Sequence, residues 1–183
     1  MIKQIGIFIV FLFGSFVAAS AQAQTLEMNK NESSVTYTLS HLLHTVEAVS
    51  KDVVYRVEAD VSNKKINKVS AQVDVTTFDS GNSNRDSHAM EVIDAITYPY
   101  VTFTSTSVTQ YGDSLRVEGK LVFHGVTKDI MMLGAAGWTQ NKLEVHGSFV
   151  LSLTAFKIER PSLLLVPVND DLHFALKAVF NLK

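Results

Sequence analysis

Apolar and polar side chains alternate with a period of two along most of this chain, and that pattern restricts it to strands that keep one face dry and the other wet. From Val53 to Val61, Val53, Tyr55, Val57, Ala59 and Val61 share one face, while Arg56, Glu58 and Asp60 share the other. Lys68–Val75, Leu115–Phe123, Lys142–Leu153 and Leu172–Leu182 repeat the arrangement, and Ser33–Ser40, Tyr100–Val108 and Asp129–Ala135 do so more weakly. The reading is all-β, with about eight antiparallel strands. Ser62–Lys65, Gln110–Asp113 and Thr139–Asn141 supply short polar turns between neighbours.

Two connections are long. One carries the polar run Asp79–Ser87 into a short helix near residues 86–97, with Ala89, Ile93 and Ile96 at helical spacing. Asn84, Asp86 and Ser87 are its candidate N-caps, and Pro99 stops it. The other spans Thr154–Asp170 and contains Pro161 and Pro167. Strands with one apolar face must share an interior. Closing the sheet into a barrel also removes its edges. Small inward positions (Ala59, Ala71, Gly119, Gly147, Ala178) alternate with flat, bulky ones (Phe103, Phe123, Phe149, Phe174, Phe180), a mixture compatible with an open lumen or a filled one.

The first residues read differently. Lys3, an apolar run from Ile5 to Val17 and the small residues Ala18–Ala23 form a secretory signal pattern. Ala19-Ser20-Ala21 and Ala21-Gln22-Ala23 both fit a cleavage site, with cutting after Ala23 preferred. Residues 1–23 are thus expected to be a signal peptide and 24–183 one exported domain. The rival is an uncleaved anchor, for which the apolar run is short. The chain has no cysteine, which excludes thiol catalysis, thiolate metal sites and a lipid-acceptor cysteine. Without Lys3 the charge is 15 basic against 18 acidic residues, too mild to predict binding to nucleic acid or an anionic membrane.

Two blocks carry a resemblance. Phe78-Asp79-Ser80-Gly81-Asn82-Ser83-Asn84-Arg85-Asp86-Ser87-His88, followed by Tyr98-Pro99-x-Val101-x-Phe103-x-Ser105, resembles the YceI-like family of bacterial periplasmic proteins. Val117–Lys128, with its His124-Gly125-Val126-Thr127-Lys128 ending, is similar to a second block of the same family, and the likeness extends from Ser33 to Lys183. It implies an extended, lipocalin-like antiparallel barrel whose members hold polyisoprenoids or other amphiphilic lipids in the lumen. One departure is local: a glycine-bearing turn usual in the family is replaced by His41–Lys51, which has no glycine.

Alternation assigns the lumen wall to Tyr37, Leu39, Tyr55, Val57, Phe103, Leu121, Phe123, Phe149, Leu151, Phe174, Leu176 and Phe180, with Arg56, Glu118 and Glu144 facing water. His41, His44, Arg85 and Arg160 are candidates for a rim or head-group site. An arginine beside a helix start suits an anionic group. The competing reading for Arg85-Asp86 is an internal pair that fixes the loop, and for Arg160 a loop anchor. His124-Gly125 reads as a turn device, and Trp138 as a turn or barrel-end plug. No metal-ligand spacing, nucleophile elbow or carboxylate dyad is present. The expectation is therefore a binding protein with no catalytic residues, metal or cofactor. Its partner would be an isoprenoid or other long-chain lipid, with no stable membrane insertion and a homodimer left open. A filled structural or partner-binding barrel, or an enzyme on a lipid-like substrate, are the alternatives.

Overall fold

The computed structural model describes residues 23–163 and 165–182; the expected signal peptide, Ala23 apart, lies outside them. The strands are β1 (Gln24–Thr25), β2 (Glu27–Met28), β3 (Ser34–Ser40), β4 (Thr45–Ser50), β5 (Val54–Asp60), β6 (Lys65–Asp74), β7 (Tyr100–Tyr111), β8 (Ser114–Phe123), β9 (Val126–Trp138), β10 (Lys142–Ser152), β11 (Ser162–Leu163), β12 (Val166–Pro167) and β13 (Asp171–Asn181). Apart from the small β11–β12 pair, they form one antiparallel sheet in the order β1-β5-β6-β7-β8-β9-β10-β13-β3-β4, with β2 added to β13.

This order forces the sheet to curl. Laid flat, the nine strands from β5 to β4 at ~4.8 Å spacing would hold those two about 38 Å apart. Yet β4 and β5 are separated in sequence only by residues 51–53, a link that reaches about 14 Å at most. The strands must wrap and tilt until the ends meet. Bulges at Glu58/Ala59 and Ser105/Ser107 supply local bending.

No ladder joins β4 to β5, so the barrel is stitched along this seam by other means. The N-terminal segment crosses it as a clasp: Gln24 pairs with Ala59 on β5, and four residues on, Met28 pairs with Phe180 on β13. Leu26 N donates to Val57 O at 2.9 Å, and Asn29 N to Val179 O at 2.7 Å. The Tyr55 hydroxyl donates to Ser34 O at 2.9 Å, tying β5 to β3. Farther along, Val49 and Asp79 exchange backbone hydrogen bonds of 2.9 and 3.0 Å, which pairs one residue of the free edge of β4.

The alternation holds in the folded chain except at Asp60, which is expected to face water but is buried at the end of β5, where its carboxylate accepts from Ser62 and Asn63. Tyr55, Val57 and Ala59 are buried while Arg56 and Glu58 are exposed, and Leu115, Val117, Leu121 and Phe123 are buried beside exposed Arg116 and Lys120. Lys120–Asp129 (2.9 Å) and Arg116–Glu118 (2.6 Å) lie on the wet face, where such pairs contribute little.

Two expectations change and one element is added. Among the described residues nine strands have six residues or more, in line with the about eight expected, the addition being Thr45–Ser50, which pairs with β3 from Val35↔Ser50 to Ser40↔Thr45. The helix α1 covers Ser83–Val92 rather than 86–97, and its N-cap is Asn82. Asn82 is extended, and its side chain accepts from Arg85 N at 3.1 Å, leaving Asn84, Asp86 and Ser87 inside the helix. At the other end Asp94 adopts φ 46°, which turns the chain toward Pro99. The turn without glycine closes differently as well: His41 N donates to His44 O at 2.8 Å, and Leu43 N to the His41 ring at 3.2 Å, so an imidazole braces it.

Candidate functional site

The strand directions put the turn 41–44 and the long connections 75–99 and 153–170 at one end of the sheet, and the tight turns after β5, β7 and β9 at the other. The first end is a mouth. Inside it lies a cavity of about 400 Å³, within the usual range for small-molecule sites. Residues of β3–β10 and β13 make its wall. Ala89 and Val92 of α1 and its C-cap Ile93 cover one side, joined by Leu153, Ile158, Pro161 and Val168 of the last long connection.

Register explains the aromatic stripe. Phe149 pairs with Phe174, and Phe174 with Tyr37, so three rings stand in a row across β10, β13 and β3. Phe149 and Phe174 stack with centroids 4.9 Å apart and planes 7° apart; Tyr37 meets Phe174 edge-on at 6.5 Å and Phe78 at 5.2 Å. Burial, reinforced by the nearby Asp86 carboxylate, pushes the Tyr37 hydroxyl above its ordinary pKa, and burial does the same to Tyr55. Both stay neutral, and no charge is placed deep in the wall.

Ten of the twelve wall residues named from alternation line this cavity: Tyr37, Leu39, Tyr55, Phe103, Leu121, Phe123, Phe149, Leu151, Phe174 and Leu176. Val57 and Phe180 do not. They line a second, smaller cavity of about 60 Å³ toward the closed end, together with Ile66, Leu115 and Ala178. The side of a strand a residue occupies follows from its parity; its depth along the barrel does not.

The polar candidates divide. His41, His44 and Arg85 line the cavity at the mouth, and His88 joins them. His41 is buried, with its Nδ1 facing Leu43 N–H and its Nε2 facing Val166 O at 3.0 Å, so one neutral tautomer fits both partners. His44 sits with its ring 5.4 Å from that of His41. Arg85 spends Nε and Nη2 on the Ser80 hydroxyl (2.9 Å) and carbonyl (2.7 Å), and Asp86 accepts from the same serine. The two residues therefore hold a loop, through Ser80 rather than through each other. Arg160 is no part of the cavity wall: its Nε and Nη2 donate to Val168 O at 2.8 and 2.6 Å, anchoring the connection 153–170.

Sequence reasoning passed over Phe78, Val101, Met132 and the lid residues. Phe78 sits in an otherwise polar loop, and helical spacing groups Ala89 with Ile93 without showing what they cover. Among the described residues, no group of three or more His, Asp or Glu is placed to hold a metal ion.

Residues 26–180 match the YceI-like domain. The chain belongs to the YceI-like family. It is 29% identical over 127 residues to Protein YceI of Salmonella newport (strain SL254), and 31% identical over 122 residues to Protein YceI of Escherichia coli O157:H7. These matches cover 68% and 64% of this chain, and they span 65% and 64% of the relatives' own length. Among solved structures, Burkholderia cenocepacia BcnA superposes with a TM-score of 0.75 at 20% identity, over 84% of this chain and 99% of that one. A polyisoprenoid binding domain from Saccharophagus degradans, implicated in plant cell wall breakdown, gives 0.67 at 11% identity, over 88% and 100%. The YceI-like chain thus shares its barrel with proteins that have diverged far in sequence.

Proposed function

We propose that this YceI-like protein is exported and binds a long apolar amphiphile, a polyisoprenoid or similar lipid, within the barrel. One observation carries the reading: a cavity of about 400 Å³ walled by aromatic and aliphatic side chains. Each methylene moved from water into such a space contributes about 0.8 kcal/mol, so an enclosed chain of ordinary lipid length is ample for tight binding. The polyisoprenoid-binding description of the Saccharophagus domain supports the same class of ligand for this fold.

The distribution of polar groups orients the guest. His41, His44, Arg85 and His88 belong to mouth-end connections, whereas the strands contribute mainly carbon. A polar head group would rest at the mouth with the chain running inward. An enzyme would need acid–base groups converging on a point within the cavity; among the described residues His41, His44, Arg85 and His88 gather at its mouth and the depth is walled by carbon, which favours binding over catalysis. A side-chain-filled barrel fits poorly with an open lumen of this size. With residues 1–23 as a signal peptide, the working location is the periplasm.

The test is organic extraction of the protein purified from its native host, followed by mass spectrometry. A stoichiometric long-chain lipid is expected. Protein that yields none, and takes up none when offered polyprenols, overturns the reading.

A further inference from the structure

The two cavities share five wall residues: Tyr55, Ala71, Phe103, Met132 and Leu176. These come from five different strands, β5, β6, β7, β9 and β13, and together they make a floor across the barrel between the large chamber and the small one. One of the five reaches its position because a neighbouring strand has no side chain there: a Cβ on Gly119 would lie 2.5 Å from the Phe103 ring, so glycine leaves that ring the space a side chain would fill.

We propose that this floor is a ruler, ending the chamber where the tail of the bound chain must stop; the inference rests on the lipid-binding reading above and adds a length to it. An apolar cavity of ~150 Å³ takes one benzene, or roughly 25 Å³ per carbon, so about 400 Å³ encloses about fifteen carbons. The ligand class is then an amphiphile with about three isoprene units, or an acyl chain of similar length, inside the barrel. Any longer chain leaves its remainder outside the mouth. The chamber below the floor, about 60 Å³, is closed off from the tail by side chains alone.

The experiment measures affinities of geraniol, farnesol and geranylgeraniol, by calorimetry, for the delipidated wild type and for three variants. In the wild type, affinity should rise about a hundredfold or more from geraniol to farnesol, then change less than about threefold to geranylgeraniol, because further carbons find no dry space. Leu176→Ala and Met132→Ala open the floor and should favour geranylgeraniol over farnesol by about tenfold. Ala71→Leu raises the floor and should remove most of the gain from geraniol to farnesol. Circular dichroism confirms that each variant folds, and the opposite signs of the two changes keep the outcome readable if one variant is lost. A wild-type affinity that keeps climbing past farnesol, or folded floor variants with the wild-type profile, overturns the ruler while leaving lipid binding in place. No affinity for any prenol in any protein overturns both.

Discussion

The rings of Tyr98 and His124 meet edge-to-face, with centroids 4.8 Å apart. This contact joins the two sequence blocks that carried the family resemblance. His124 sits at φ 48° and Gly125 at φ 69°, a tight turn between β8 and β9, and His124 Nδ1 pairs with Phe156 O at 3.0 Å. A Cβ on Gly125 would come within 2.6 Å of the Tyr98 ring. Gly125→Ala should therefore cost about 1–2 kcal/mol for the left-handed backbone alone, and more for the displaced ring. Urea unfolding measures it; a loss below about 0.5 kcal/mol, the level of a neutral surface change, would deny the turn this role.

Two tryptophan substitutions separate the chambers. Ala89→Trp enters the large cavity from the lid helix, and should displace extractable lipid while changing stability by no more than about 0.5 kcal/mol. Ala178→Trp falls among the residues of the small cavity, where added bulk should cost about 1–3 kcal/mol with lipid content retained. Extraction and thermal melting are read on both. The reverse pattern would mean that the chain occupies the closed end.

The lid helix depends on its cap. Asn82→Ala removes the acceptor for Arg85 N and should cost about 1 kcal/mol. Hydrogen exchange should quicken across Ser83–Val92 and leave β8 and β9 unchanged. Uniform quickening would show that the helix is not a separate unit.

Acid stability should depend on Asp170. Hydrogen bonds from Ser152 Oγ (2.5 Å) and Thr154 N (2.9 Å) hold its carboxylate below the usual range. A depressed carboxylate stabilises the fold above the unfolded-state value of about 3.9, and that contribution is lost as pH falls through the lower folded value. Asp170→Asn should weaken the protein at neutral pH and flatten the decline below about pH 4. Melting curves across pH test this; parallel curves for the two proteins would contradict it.

Export is checked at the new N-terminus. Protein from the native periplasm should begin at Gln24, the first residue of β1. Retained Met1 in a membrane fraction would contradict cleavage.

Alternation made the strand faces legible, and hence the barrel and most of its wall. It did not reveal depth, because a period of two says nothing about how far a strand is tilted; Val57 and Phe180 have the right parity and lie below the floor. Thr45–Ser50 escaped notice because Glu47 is its only charge and the hairpin turn before it has two leucines in place of a polar signal. The helix start was misplaced because Asn82, Asn84, Asp86 and Ser87 are all competent caps, and only the backbone at Asn82 chooses between them. Arg160 illustrates the same limit: a backbone carbonyl at Val168 satisfies it, and no sequence pattern marks that partner.

The clasp has a consequence for the order of folding. Its pairing of Glu27 with Asn181 joins early and late parts of the sequence, so the seam cannot be sealed until nearly the whole chain is available. The hairpins from β5 to β10 are local and can form as they emerge, but the clasp carries the largest loop-closure entropy and should come last. Until then the apolar interior has an open side, and a lipid present at that moment could be enclosed by folding rather than threaded through a finished mouth.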